Sequence, residues 1–245
     1  MTSWKELRMQ RIINPKTNKA VIIPIDHWAT AWLMSWLEAM KSLIQDLSNG
    51  WADAIIWHMG TWLRFAKYKN PNTAFMYHLS VSTVVNTKDK NDKIICNSVE
   101  SAVCMWADWI SIHVNIWSDN ESQQLRDLWL VAQECYKYWM PLLAMMYPRW
   151  AWLTWDPKSV EMVSLAIRIW AELWADIVKT YYTWSKESFK KTITWATVPV
   201  VIVWWDPWSE KELFHSPKTS LASEAGAIHG YYNTFTWKCN FSYSC

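Results

Sequence analysis

Seven short apolar runs, alternating with six amphipathic stretches, predict an α/β fold, a closed (β/α)8 TIM barrel with an atypical C-terminal part. Two further observations support this reading. The runs are continuous rather than alternating, as in strands buried on both faces, and the intervening helices make the sheet parallel. Polar residues also gather at the C-terminal ends of the runs, where barrels of this kind build their sites. An open doubly wound sheet is the alternative. No G-x-G-x-x-G follows the first run, even with tryptophan read as glycine, which speaks against it. A length of 245 residues suits one barrel, so 1–245 is read as a single domain, with 216–245 a poorly matching C-terminal segment.

The strands are expected at 21–26 (VIIPID), 52–57 (ADAIIW), 74–79 (AFMYHL), 110–115 (ISIHVN), 141–147 (PLLAMMY), 176–181 (DIVKTY) and 199–204 (PVVIVW), with a weak eighth near 226–230. Helices are expected at 31–48, near 61–69, and at 97–105, 119–138, 157–173 and 185–194. In 157–173, Val160, Val163, Ala166, Ile167 and Ile169 fall at roughly helical spacing. Pro157 stands at its start, where a missing N–H costs little. The segment 84–93 (VVNTKDKNDK) is charged and aperiodic and reads as a solvated loop. After His215 aliphatic residues are few, and no eighth helix is evident.

Lys and Arg number 24 against 22 Asp and Glu, a net +2, so neither nucleic acid nor an acidic membrane is the expected partner. No apolar run approaches the roughly 18 residues of a membrane span, and the charged N-terminus lacks the apolar core of a secretory signal. Five cysteines without a C-x-x-C pair suggest neither a disulfide framework nor a zinc ribbon, and a reducing, cytoplasmic setting is expected.

The tryptophan content is abnormal. There are 23 Trp and 4 Gly, where glycine usually supplies about 7% of residues. The tryptophans cluster at element boundaries rather than along one face. Trp-Ala-Asp occurs at Trp51, Trp106 and Trp174, each time between a helical stretch and an apolar run, where helices end in a left-handed residue that is usually glycine. Most tryptophans therefore stand at glycine positions. A source that reads UGA as glycine, with UGA rendered here as tryptophan, would produce this pattern. A Trp-rich, non-catalytic binding protein is the rival explanation.

Lys179 lies inside the run DIVKTY, which should be a central strand. Burial there favours the neutral amine, the form that attacks a carbonyl to make a Schiff base; the alternative is a lysine reaching to the rim. Tyr147 ends another strand and could relay a proton or simply pack. Asp26 ends the first strand and could take a hydroxyl proton or cap a helix. Arg149 could clamp an anionic group or form a surface ion pair. His78 and His113, completed by His58 or His27, raise a metal-dependent lyase as a rival, although core or supporting histidines are the preferred reading. Trp204-Trp205, read as Gly-Gly after the seventh strand, matches a barrel phosphate site.

Six stretches carry a resemblance: PIDHW (24–28), HLSVST (78–83), SIHVNIWSD (111–119), MPLLAMMYPRW (140–150), WADIVKTYYTW (174–184) and VPVVIVWW (198–205). With Trp read as Gly, they resemble the archaeal-type class I aldolases, a family that includes fructose-bisphosphate aldolase and 2-amino-3,7-dideoxy-D-threo-hept-6-ulosonate synthase; the wording of SIHVN and MMYPR is nearer the second. The resemblance implies Lys179 as the Schiff-base lysine, Tyr147 as proton donor and Asp26 as proton acceptor. It implies substrate contacts from His27, Trp28, Ala29, Thr30, Pro148 and Arg149. It implies phosphate contacts at Trp204 and Trp205, and at Tyr231 and Tyr232 in a motif of which Asn233 and Phe235 are kept. It further implies phosphorylated ketose and aldehyde substrates, no metal or organic cofactor, and a homo-oligomer.

Overall fold

The computed structural model of the chain describes residues 3–30, 37–50, 52–83, 91–149, 155–203 and 226–229, without the side chains of 30 and 226–229. Eight parallel strands close into a barrel: β1 (Ala20–Pro24), β2 (Ala54–Trp57), β3 (Ala74–His78), β4 (Trp109–Ile116), β5 (Leu142–Pro148), β6 (Ile177–Tyr181), β7 (Val200–Val203) and β8 (Gly226–His229). Each strand pairs with the next, and Ala20 opposite Ala227 closes the ring between β1 and β8. All eight expected strands are found, the weak eighth included.

Side chains alternate across the pleat, which accounts for the continuous apolar runs. Ile22, Ile56, Met76, Leu143, Met145, Ile177 and Val201 pack inside the barrel. Ile23, Ile55, Phe75, Ile112, Val178 and Ile202 face outward, among helical residues such as Ile44, Leu128, Val163, Ile167 and Phe189. Each such fully buried side chain contributes about 1.5–3 kcal/mol.

The outer helices are α3 (Met40–Asn49), α4 (Met59–Phe65), α5 (Val99–Cys104), α6 (Glu121–Lys137), α7 (Val160–Glu172) and α8 (Lys186–Ile193). The expected 31–48 helix is described only from α3 onward. α7 starts later than Pro157 suggests, because Ser159 caps it: its hydroxyl accepts the Met162 N–H at 3.4 Å. Two short helices escape the periodicity argument. One is α2 (His27–Thr30), a single turn after β1. The other is α1 (Trp4–Gln10), opened by a capping box in which Ser3 accepts from the Glu6 N–H and Glu6 accepts from the Ser3 N–H. α1 lies against the barrel's N-terminal end, where the buried Trp109 indole donates to the Arg8 carbonyl at 2.8 Å and Lys5 pairs with Asp176 at 2.8 Å.

The repeated tripeptide has a structural role at each of its three sites. Its alanines, Ala52, Ala107 and Ala175, are buried. Asp53, Asp108 and Asp176 each accept the backbone N–H of Val21, Phe75 and Leu142 at 2.7, 2.8 and 2.8 Å, tying β2, β4 and β6 to the start of the preceding strand. Trp106 and Trp174 have φ of 60° and 73°. At α5 and α7 the N–H of the following alanine returns to the carbonyl five residues back, Ala107 to Ala102 at 3.0 Å and Ala175 to Trp170 at 3.3 Å. These are Schellman closures with tryptophan in the left-handed position that glycine usually fills. Trp139, with φ 53°, occupies the same place after α6, where Met140 returns to Cys135 at 2.8 Å.

Candidate active site

The inward face of the barrel carries its polar groups toward the C-terminal ends of the strands. On β6, Lys179 shares the face of Ile177, which turns it into the barrel, and only 1% of its surface is exposed. Its Nζ lies 3.6 Å from Sδ of Met145, its register partner on β5. Burial lowers the ammonium pKa and the nearby Arg149 adds to the effect, while Asp26 opposes it; the outcome is about 7. Tyr147 sits two residues beyond Met145 on the same inward face and is buried. Its ring meets His113 edge-on at 5.0 Å and Tyr181 at 4.7 Å, with the Arg149 guanidinium 5.3 Å from its centre.

Asp26 follows β1 and is also buried. Its Oδ2 lies 3.6 Å from Nε2 of His78 at the end of β3, and its Oδ1 lies 3.9 Å from Nδ1 of His27. Burial pushes this carboxyl up, but His78, His27, His58 and Lys179 outweigh burial and hold it at about 2, so it is a carboxylate at neutral pH. Burial drives His27 to about 4 and His78 to about 3, so both imidazoles are uncharged there. The other nitrogen of His78 is oriented by the Ser111 hydroxyl at 2.9 Å and His113 by the Asn115 amide oxygen at 2.9 Å. Beside Asp26 opens a cavity of about 360 Å³, walled by Trp28 and Ala29 of α2 and by His58, Thr61 and Arg64 from the β2 end and α4.

Asp26, His27, Tyr147, Pro148, Arg149 and Lys179 thus gather at one mouth, with Trp28 and Ala29 at the adjoining cavity. Thr30 lies in α2, and its side chain is outside the described residues, as are Trp204, Trp205, Tyr231 and Tyr232 in full. The histidines do not behave as a metal set. His78 serves Asp26, His113 packs on Tyr147, and among the described residues no three His, Cys, Asp or Glu side chains form a metal-binding group.

The loop expected to be solvated over 84–93 needs correction at its end. Lys93 is buried, 7% exposed, and its Nζ donates to the Ser82 hydroxyl at 2.6 Å. Two-residue strands, Ser80–Val81 and Ile94–Ile95, pair antiparallel, so Ile94 directly after Lys93 is part of a small sheet. Its charged composition concealed this, and the signal available was the pair Ile94-Ile95 directly after Lys93.

Residues 20–231 match the profile of the DeoC/LacD family aldolases. The chain belongs to that family. The aldolase is 35% identical over 199 residues to 2-amino-4,5-dihydroxy-6-oxo-7-(phosphonooxy)heptanoate synthase of Streptomyces griseus, covering 81% of this chain and 72% of that one. It is 35% identical over 231 residues to 2-amino-3,7-dideoxy-D-threo-hept-6-ulosonate synthase 1 of Archaeoglobus fulgidus, covering 94% and 84%. The crystal structure of an archaeal fructose 1,6-bisphosphate aldolase superposes with a TM-score of 0.77 at 22% identity, over 93% of this chain and 91% of that one, a likeness of fold. The protein is an aldolase, a carbon–carbon lyase, and the family match favours this over the metal-dependent lyase and the non-catalytic binding protein. Among the described residues no helix is long and apolar enough to cross a membrane.

Proposed function

We propose that Lys179 forms the Schiff base of this aldolase, with Tyr147 as proton donor and Asp26 as proton acceptor. The observation that carries the reading is a lysine amine buried on the inner face of β6, its ammonium lowered to about 7 so that a large share is neutral at pH 7, with a phenol on the neighbouring strand and an ionised carboxylate at the same mouth. The neutral amine attacks the ketone of a phosphorylated ketose. Tyr147 protonates the departing hydroxyl, so water leaves and an iminium ion remains. That cation draws in the electron pair of the bond between its α and β carbons while Asp26 takes the proton of the β-hydroxyl. The enamine is then protonated, or it adds to a second aldehyde; hydrolysis frees Lys179 in either case. His27 to Thr30, Pro148 and Arg149 are assigned to contact substrate, and Trp204, Trp205, Tyr231 and Tyr232, which lie outside the described residues, are assigned to its phosphate.

For the substrates, the names of both relatives describe a seven-carbon chain with a carboxylate at C1, an amine at C2 and a ketone at C6. The same product type in this aldolase requires a C4–C5 bond between the enamine of a three-carbon ketone and the aldehyde of a four-carbon 2-amino acid. We further propose a homo-oligomer in a reducing compartment, in keeping with the free thiols of Cys96, Cys104 and Cys135.

Borohydride reduction with dihydroxyacetone phosphate tests the central step. The expected adduct maps to the peptide bearing Lys179. An adduct elsewhere, or chelator-sensitive turnover with no adduct, removes Lys179 from the mechanism.

A further inference from the structure

We propose that His78 is a positioning residue: Ser111 locks its imidazole in the tautomer that turns an N–H toward Asp26, and this N–H keeps the carboxylate charged and in place for the substrate hydroxyl. The role rests on Asp26 being the proton acceptor, as proposed above. His78 ends β3 two residues beyond the inward-facing Met76, and its register partner on β4 is Ser111, two residues beyond the inward-facing Trp109. The Ser111 hydroxyl lies 2.9 Å from Nδ1 of His78. On the other side of the ring, Nε2 lies 3.6 Å from Oδ2 of Asp26, which follows β1. All three residues are buried. Turning the ring over would set carbon atoms against both the hydroxyl and the carboxylate. The backbone that bears His78 is tied down as well. Nδ1 of His58, at the end of β2, lies 3.1 Å from the His78 carbonyl, and since a carbonyl only accepts, His58 is the donor.

The tautomer follows from the partners. Asp26 is a carboxylate and the imidazole is uncharged, so the ring carries one proton. On Nδ1, that proton would leave the Nε2 lone pair against a negative charge. On Nε2, it gives Asp26 an N–H, and Nδ1 accepts the Ser111 O–H. A contact of 3.6 Å is long for a hydrogen bond, as catalytic contacts often are until substrate is bound. A buried carboxylate is costly without such a donor. Among the described residues the charge contacts of Asp26 are His78 and, at 3.9 Å, His27. His78 is the nearer, and its ring is anchored on the far side.

Two other roles are excluded by the same geometry. Both nitrogens of His78 are engaged, so it does not take the substrate proton itself. Ser, His and Asp in this order also make up a hydrolytic triad, but Ser111 is 0% exposed and its hydroxyl reaches no substrate. Asp26, in contrast, lines the cavity of about 360 Å³. The relay therefore ends at the one member that a substrate can touch.

The test uses the full-length enzyme. Magnetic resonance of enzyme labelled with heavy nitrogen in its histidine rings should show the His78 proton on Nε2 at pH 7, the signal being assigned by its loss in His78→Leu. A proton on Nδ1, or on both nitrogens, would overturn the proposal. His78→Leu should still give the borohydride adduct with dihydroxyacetone phosphate, because that step does not use Asp26. Its kcat for cleavage should fall about 10- to 100-fold, the loss of one charge-assisted contact, with KM moving less than 3-fold. The ketose is fructose 1,6-bisphosphate or, where the wild type prefers it, the product of dihydroxyacetone phosphate and 2-amino-4-oxobutanoate. His78→Gln, whose amide N–H reaches about as far as Nε2, should recover part of the loss. Added to Asp26→Asn, His78→Leu should cost nothing more, since it acts through Asp26. Circular dichroism confirms that each variant is folded; if His78→Leu is not, the ring signals of the wild type and the kcat of His78→Gln decide. Equal losses in adduct formation and cleavage would reduce His78 to packing and overturn its role. If Asp26→Asn cleaves normally, the reading of Asp26 fails and this role with it. If Asp26→Asn does not cleave but His78→Leu cleaves at the wild-type rate, only the role of His78 fails.

Discussion

Lys179 and Met145 face each other across the β5–β6 register inside the barrel, with the lysine Nζ 3.6 Å from the methionine sulfur. A thioether is a weak acceptor and does little to stabilise a positive charge. The pairing therefore leaves the amine in an environment where its neutral form is favoured, as a carbonyl nucleophile requires. Lys179→Met fills the same space with an uncharged chain. We expect the fold to be kept and turnover to fall by at least about three orders of magnitude, with borohydride adduct formation lost. Retained turnover would show that another group carries the chemistry.

Tyr147 and Asp26 are assigned separate proton transfers, so their removal should be separable. Tyr147→Phe should slow dehydration and lower kcat by roughly 10²- to 10⁴-fold, while leaving the packing against His113 and Tyr181 in place. Asp26→Asn keeps the shape but cannot accept the hydroxyl proton. It should still form the adduct with dihydroxyacetone phosphate and fail to cleave ketoses. Cleavage at wild-type rate in Asp26→Asn would transfer that role to His78 or a water.

The pH dependence follows from the amine. Its ammonium is lowered to about 7, so adduct formation should rise with pH through a midpoint near 7 and level off above 8. At pH 7 the neutral fraction exceeds that of an ordinary lysine by roughly three orders of magnitude. The stability consequence has the opposite sign from a salt-bridged lysine. The folded pKa is depressed, so between about 7 and the unfolded value the unfolded chain binds more protons and stability rises with pH. Chemical denaturation from pH 7 to 10 should show wild-type Lys179 gaining on Lys179→Met. A flat difference would mean that the lysine is charged in the folded enzyme.

The barrel was legible because burial on both faces leaves unbroken apolar runs, and even the weak run at 226–230 proved to be the closing strand β8. Lys179 was legible for the same reason, as a charge interrupting such a run. Lys93 was not, because it ends a charged stretch whose composition is that of a surface loop, and only the tertiary contacts of Ser82 and Asn91 turn it inward. α1 was missed because it has no buried face of its own. A metal role stayed open as a rival for His78 and His113 because sequence cannot show that their nitrogens are directed to Asp26, Ser111 and Asn115.

Four of the five non-glycine residues with positive φ among the described residues are tryptophans: Trp106, Trp117, Trp139 and Trp174. Left-handed backbone costs an ordinary L-residue roughly 1–2 kcal/mol, and three of these four sit where Schellman closures call for glycine. The indole nitrogens of Trp57 and Trp170 are buried without a hydrogen-bond partner among the described residues, unlike most buried indoles. We propose that the natural chain carries glycine at these left-handed positions, through UGA codons read as glycine. Single Trp→Gly changes at 106, 117, 139 and 174 should each stabilise the fold by about 1 kcal/mol, measured by denaturant unfolding. The changes at 139 and 174 should not add fully, because both indoles stack on Tyr136, at centroid distances of 6.4 and 5.6 Å. UGG codons at these four positions, or a loss of stability on each replacement, would refute the proposal.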